Sequence, residues 1–350
     1  MMKKKRKWIF WLVLFILSIA FTVLWWVIIE FHRDYRNIPS RHLVGNRPHT
    51  VAALKENGFP FSFLVIGDTT GSETAETLIE MALEKGKSSF MIILGDFVSK
   101  PDIWNHRFFL TEMTAEITPP FPVFLVAGNH DIDYTGIKIK QKDRRVTQEI
   151  YESLYGPINF DFIYNQCLFI ICGIDSKNPN IFLNYLQDTL SKKGEGKKHI
   201  FIFVHYPPKG LADHIEGALP ISKEEDFFSL LEGYRGVTCL FGDYHGYWRG
   251  QRKGVNLIVS GGGGRLKLSQ SEWGKFHHIL RITVDQEKVA EEVITIQRQF
   301  EFEDWFEEWI FVTLFPFVQK SVWMLTLIFV FLLTVSGFTL FKFFKIVRHS

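Results

Sequence analysis

Short apolar runs separated by amphipathic stretches organise the middle of the chain. Runs of strand length recur at Phe61–Ile66, Phe90–Leu94, Val123–Val126, Leu168–Cys172, His199–Val204, Val237–Phe241 and Val255–Val259. Nearly every position in them is apolar, the pattern of strands covered on both faces. Between them, Ala75–Lys85, Arg107–Ile117, Arg145–Tyr155, Ile181–Ser191 and Lys223–Leu231 carry apolar residues at three- and four-residue spacing, which predicts helices. From Lys275 to Arg298 the period changes to two, which predicts closing antiparallel strands. The alternation as a whole predicts a soluble α/β unit over about Pro48 to Arg298.

Both ends of the chain read differently. Trp8 to Ile29 is uncharged and comes after Lys3, Lys4, Lys5, Arg6 and Lys7. That length suffices for a hydrocarbon core of roughly 30 Å. Ser18-Ile19-Ala20 resembles a signal-peptidase site, but strongly apolar sequence continues beyond it through Trp25, Trp26 and Ile29, so a retained signal anchor is expected. Val322 to Phe341 is a second expected span, with Lys342, Lys345 and Arg348 after it. Cationic flanks at both spans place both termini in the cytoplasm and the intervening unit on the outer side of the membrane. Trp305, Phe306, Trp309, Ile310, Phe311, Phe315 and Phe317 form an aromatic stretch too short to span. It reads equally as a segment lying in the headgroup layer or as a helix packing on the core. The expected organisation is an anchor at 1–30, the α/β unit at 31–300, an interfacial segment at 301–320 and a span with a basic tail at 321–350.

Composition sharpens this in two places. Hydrophobic residues make up 47% of the 350 and charged residues 22%, which excludes global disorder. Forty Lys plus Arg against 38 Asp plus Glu leave +2, so no basic excess points to nucleic acid. Cys167, Cys172 and Cys239 each sit in an apolar run, which argues against a disulfide framework or a thiolate zinc site.

Function is carried by the polar residues at the strand tips. Gly67-Asp68-Thr69-Thr70-Gly71, Gly95-Asp96, Gly128-Asn129-His130-Asp131, His205 and Gly242-Asp243-Tyr244-His245 each sit at a strand's C-terminal end, where α/β sheets place ligands. Singly, each has a structural explanation as an Asx-turn, a helix cap or a core-edge histidine. Together they form one oxygen and nitrogen donor set without thiolates, suited to a pair of Mn²⁺, Fe or Zn²⁺ ions.

At these residues the sequence resembles the calcineurin-like metallophosphoesterase superfamily, and the contexts Val204-His205-Tyr206-Pro207-Pro208 and Gly242-Asp243-Tyr244-His245-Gly246 are similar to its purple-acid-phosphatase-like branch. The resemblance implies two stacked mixed β-sheets flanked by helices in a four-layer αββα arrangement. It also implies Asp96 bridging two divalent ions, Asp68 and His245 on the first, Asn129 and His205 on the second, and His130 beside the phosphate. Two departures stand out: Thr70 occupies the place of a family histidine, and Asp243 that of the first histidine of the last pair. A carboxylate at 243 can still bind the second ion and favours Mn²⁺ over Zn²⁺. The implied activity is phosphoester or diphosphate hydrolysis by a hydroxide held between the ions, with His130, oriented by Asp131 or a backbone carbonyl, protonating the leaving group. The membrane anchors point to a lipid-linked substrate. Arg249 and Arg265 are candidates for contacting its phosphate or, equally, for surface salt bridges. Gly261–Gly264 either brings backbone close to the cleft or forms a flexible turn. The competing class is a degenerate, membrane-anchored binding or sensor protein, with Thr70 and Asp243 as its evidence.

Overall fold

The computed structural model describes residues 11–23, 25–26, 29, 43–55, 58–173, 180–208, 223–264, 266, 274, 276–297, 302–314, 316–317 and 321–347. The chain divides into two compact units, Pro39–Asp304 and the pair of end segments Met1–Ile38 with Trp305–Ser350.

In the larger unit the apolar runs become strands β1 (Phe61–Ile66), β2 (Met91–Ile93), β3 (Val123–Leu125), β4 (Phe160–Tyr164), β5 (Cys167–Cys172), β6 (Ile200–Val204), β7 (Val237–Phe241), β8 (Tyr247–Arg252), β9 (Val255–Ser260), β10 (His277–Val284) and β11 (Val289–Ile296). They form two mixed sheets, ordered β11-β10-β1-β2-β3 and β4-β5-β6-β7-β9-β8. The central strands β1, β2 and β3 run parallel, as do β5, β6, β7 and β9. Antiparallel strands β10, β4 and β8 join their edges. The period-two segment at the end of the unit thus adds β10 and β11 beside β1, as its alternation predicts.

Strand alternation decides which residues meet. Phe61, Phe63 and Val65 of β1 enter the cluster between the sheets with Phe90, Phe169, Phe201 and Phe203, while Leu64 and Ile66 face the helical layer with Leu78, Ile79 and Ala82. The second sheet packs its other face on helices Asn180–Lys193 and Glu224–Leu231 through Phe182, Leu186, Phe227 and Phe228. Helix, sheet, sheet and helix therefore make four layers. Ring stacking orders the central one: Phe63 lies on Phe90 at 4.9 Å and Phe169 on Phe201 at 5.0 Å between centroids. Each such buried ring contributes on the order of 2 kcal/mol from area alone. The cysteines are free and buried in β5 and β7.

Two expected helices start elsewhere than the apolar spacing implies. The one expected from Arg107 begins at Ile103, capped by Asp102, whose carboxylate accepts the Trp104 N–H at 2.9 Å, and passes into a π-helical turn at Glu112–Glu116. The one expected from Arg145 begins at Gln148, because the Thr147 hydroxyl caps it.

In the smaller unit, residues 11–23 have helical backbone and a helix forms at Val322–Val347; the helix Phe302–Trp309 starts in the last residues of the larger unit. Rings of Phe21 and Trp25 stack on Phe329 at 5.8 and 6.2 Å. Several side chains within Val322–Val347 and much of the expected N-terminal anchor lie outside the described residues. Among the fully described residues, no helix is long and apolar enough to cross a membrane.

Candidate metal centre

The parallel strands of both sheets deliver their C-terminal ends to one rim. Asp68 comes after β1, Asp96 after β2, Asn129 and His130 after β3, His205 after β6, and Asp243 and His245 after β7. The turns are tight: Asp68, Asp96 and Asp243 hold φ of 54°, 49° and 60°, left-handed conformations that Asp tolerates better than most residues. Glycines permit the close approach of neighbouring loops. A Cβ on Gly95 would fall 2.5 Å from His205 Nδ1, and one on Gly128 would fall 2.2 Å from Asp96 Oδ1.

The donor atoms are arranged as ligands are around ions. His205 Nδ1 donates to the Leu94 carbonyl at 2.7 Å, so its Nε2 carries the lone pair. That Nε2 faces three oxygens, Asn129 Oδ1 at 3.2 Å, Asp96 Oδ1 at 3.4 Å and Asp243 Oδ1 at 3.8 Å. Four acceptors converging on one point require a cation or a proton among them. Nitrogen and oxygen ligands at about 2.1 Å from one ion lie roughly 3–3.5 Å apart, which is close to the spacing here. A second pair lies alongside, His245 Nε2 and Asp68 Oδ1 at 3.4 Å. Asp68 Oδ1 and His245 Nδ1 are buried with no hydrogen-bond partner among the described residues. A buried carboxylate oxygen left in that state is costly unless an ion answers it. Ligand atoms of Asp68, Asp96 and His205 all lie within 4.8 Å of one another, so Asp96 is within reach of both groups. The residues present fit divalent ions.

The electrostatics of the metal-free side chains agree. Burial works against a charged His205, but Asp96, then Asp68 and Asp243, outweighs it and holds its pKa well above the ordinary value. Asp96 is buried too, yet the facing His205, with His130, holds its carboxyl below the usual range. Asp68 moves the other way, because burial exceeds what His245 and His205 return. Carboxylates that act on His205 in this direction make a cavity that favours positive charge.

His130 stands apart from this group. Its side chain is 44% exposed where that of His205 is 1%, and its Nε2 lies 3.9 Å from Asp96 Oδ2, at the mouth of the site. Its Nδ1 donates to the Ser99 carbonyl at 2.8 Å, and its backbone N–H donates to Asp96 Oδ1 at 2.7 Å. Asp131 does not orient this ring. Its carboxylate is fully buried and accepts the N–H groups of Gly128, Asp96 and Val98 at 2.7, 2.8 and 3.3 Å. Of the two alternatives the sequence leaves open for His130, the geometry is that of the backbone carbonyl. Asp131 instead ties the third tip to the second. Burial and the nearby charge of Asp96 push its carboxyl up to about 8.

Thr70 is buried beside Asp68 with φ of 53°. Arg249 lies on edge strand β8, 57% exposed, in an ion pair with Nε 3.9 Å from Oε2 of Glu291, whose side chain is buried. Arg265 lies outside the described residues. The glycine run approaches closely: Gly263 and Gly264 donate their N–H groups to the carbonyls of Gly67 and Asp68 at 2.9 and 3.0 Å. Three participants are invisible to a motif search. The Leu94 and Ser99 carbonyls orient His205 and His130 but are main-chain atoms. Lys138, which donates to the Asn129 carbonyl, is signalled only by the basic run after the third motif.

Residues 61–262 match the calcineurin-like phosphoesterase family. The chain belongs to that family. The two mixed sheets flanked by helices are the family's fold. Among solved structures it is similar to the purple acid phosphatase PPD1 of yellow lupin (14% identity, 71% of this chain and 55% of that one, TM-score 0.49). It is also similar to GAP50, the anchor in the inner membrane complex of Plasmodium (14% identity, 71% and 94%, TM-score 0.46). A third is a putative 5′-nucleotidase of Staphylococcus aureus (15% identity, 71% and 57%, TM-score 0.44). The chain spans about half the length of the lupin enzyme. A comparison with curated proteins yields no match.

Proposed function

We propose that the protein is a membrane-anchored hydrolase of phosphate esters or diphosphates whose substrate is lipid-linked. The observation that carries the hydrolytic reading is the convergence of His205 Nε2 with Asn129, Asp96 and Asp243 oxygens beside the unpartnered Asp68 and His245 atoms. Asp68 and His245 would hold one ion, Asn129, His205 and Asp243 the other, with Asp96 between them. Bound there, divalent ions supply a nucleophile from water at neutral pH and neutralise the phosphoryl oxygens. Asp243 in the donor set favours Mn²⁺.

The chain's own residues do the rest. Because His130 Nδ1 keeps the hydrogen it gives to Ser99, Nε2 is the atom that gains and loses a proton. Protonated, it donates to the leaving-group oxygen, and its exposure at the mouth leaves room for an ester's alcohol portion. The glycine run packs against the Gly67-Asp68 tip with backbone alone.

Membrane attachment is supported by the uncharged stretches at residues 8–29 and 322–341, by their cationic flanks, and by the stacking of Phe21 and Trp25 on Phe329. A catalytic unit held at the outer face of a bilayer meets lipid headgroups first, which favours a lipid-linked phosphate over a soluble one. The aromatic helix Phe302–Trp309, with Trp305 and Trp309 exposed, suits the headgroup layer.

The test is hydrolysis of para-nitrophenyl mono- and diesters by detergent-solubilised full chain with Mn²⁺, Fe²⁺ and Zn²⁺, alongside elemental analysis. Metal-dependent turnover is expected. Inactivity with two equivalents bound would favour the sensor reading instead, which Thr70 and Asp243 motivate.

A further inference from the structure

Beside His130 the chain builds a rigid loop over residues 133–145. The Asp133 carboxylate accepts the N–H groups of Gly136 and Ile139 at 2.8 and 3.2 Å and pairs with Arg145 Nε at 3.2 Å. Arg145 returns to the Ile139 carbonyl at 2.8 Å, and Arg144 pairs with Asp102 at 2.8 Å. Ile139 is buried, which roots the loop in the core. A loop with this many internal bonds holds one shape without a ligand.

What the loop presents is Lys138. Its ammonium donates to the Asn129 carbonyl, one residue from His130. The side chain is exposed, and among the described residues it pairs with no carboxylate. Lys192, Lys193 and Lys253 are paired with carboxylates, whereas Lys140 and Lys142 farther along the chain, like Lys138, are paired with none among the described residues; what sets Lys138 apart is its bond to the Asn129 carbonyl. Lys100, also exposed, is next to Ser99, whose carbonyl orients His130. A cation fixed at the edge of the site, beyond the ions that would neutralise the reacting group, is placed to meet further negative charge on a substrate.

We infer that Lys138 binds a second phosphoryl group, the one not being attacked, so that the site is built for diphosphates. This rests on the phosphoester-hydrolase reading and narrows its substrate class. A lipid diphosphate and a soluble one share this chemistry. Ile137, 78% exposed, is the apolar side chain next to Lys138 against which the two sources can be distinguished.

Binding to detergent-solubilised, Mn²⁺-loaded full chain tests it, using methylenediphosphonate and methylphosphonate, neither of which is hydrolysed, by titration calorimetry. Lys138→Ala should weaken methylenediphosphonate about tenfold or more and methylphosphonate by less than about twofold, with Mn²⁺ uptake unchanged and Lys138→Arg restoring most of the loss. Equal loss for both ligands, no loss for either, or wild-type protein that binds neither overturns the inference. Lost Mn²⁺ uptake in Lys138→Ala also overturns it, because Lys138 would then act only through Asn129. If diphosphonate binding depends on Lys138 while no phosphoester is turned over, the inference stands and the hydrolase reading falls. With a prenyl diphosphate as third ligand, an Ile137→Ser loss confined to that ligand identifies the lipid source, and no loss identifies the soluble one.

Discussion

Asp131 Oδ2 accepts the backbone N–H of Asp96 at 2.8 Å, across the gap between two neighbouring strand tips. The same oxygen takes the N–H of Gly128 at 2.7 Å, so one buried carboxylate sets the distance between the second and third motifs. Asp131→Ala should therefore act on stability before chemistry. Leaving three buried N–H groups without acceptors costs roughly 1–3 kcal/mol for each that water cannot reach. A lowered midpoint in thermal unfolding of the metal-free protein checks this. An unchanged midpoint would mean that the tips are held by something else.

Asp96 has ligand atoms within 4.8 Å of those of both Asp68 and His205, so its loss should remove both ions together. Asp96→Asn keeps the shape and removes the charge. Elemental analysis should find well under two equivalents of Mn²⁺, and hydrolysis should fall to background. Retention of both ions by the folded variant would take Asp96 out of the bridge.

His130→Ala separates chemistry from metal binding. The ring makes no close contact with the donor group beyond 3.9 Å to Asp96, so metal content should stay near that of the parent. The rate constant kcat should drop by about 10²–10⁴, the contribution typical of a positioned general acid. The loss should shrink for esters with good leaving groups such as para-nitrophenol, because these need no proton. Equal loss for alkyl and aryl esters would contradict proton donation from Nε2.

Gly128→Ala should be poorly tolerated, since its Cβ would fall 2.2 Å from Asp96 Oδ1 and 2.4 Å from the Asp96 backbone nitrogen. The expected result is weakened Mn²⁺ affinity in protein that still folds, read by competition with a chelator. Gly58→Ala is the control, because nothing lies within 4 Å of a Cβ there, although its φ of 72° predicts a small loss of stability.

Acid should destabilise the unit through His278. Burial lowers its pKa to about 4. Its Nδ1 donates to the Phe276 carbonyl at 2.9 Å, which leaves Nε2 to accept from the Ser260 hydroxyl at 3.0 Å, so the ring is held neutral. The folded value lies below the unfolded one of 6.5, so the unfolded chain binds the proton first. Stability from this group is full above about pH 6.5 and declines as pH falls towards 4, by up to about 3 kcal/mol. His278→Gln should flatten that slope in unfolding measured from pH 7 to pH 4. A slope unchanged by the substitution would assign it to other groups.

How much of this could be read from the sequence depended on how strongly each position is buried. Central strands such as Phe61–Ile66 and Val237–Phe241 have the bounds their apolar runs indicate, because both faces are covered and each admits only one small polar residue, Ser62 or Thr238. Edge strands β4 and β8 were missed. Tyr247-Trp248-Arg249-Gly250-Gln251-Arg252 has solvent on one face and a glycine within, so its apolar signal is thin. Side chains of the site were legible because strand tips can carry Asp, Asn and His together for few purposes. The atoms that aim them were not, since the Leu94 and Ser99 carbonyls have no identity in a sequence. Lys138 was missed for a related reason: its meaning depends on a loop whose path is set by Asp133 and Arg145.

The candidate ligand atoms come from both sheets, with Asp68, Asp96 and Asn129 on one side and His205, Asp243 and His245 on the other. Ring packing secures the sandwich along its interior, but at this rim only polar loops meet. Divalent ions seated there would rivet the halves together, so loading should slow amide exchange in loops of both sheets at once, including residues that touch no ligand.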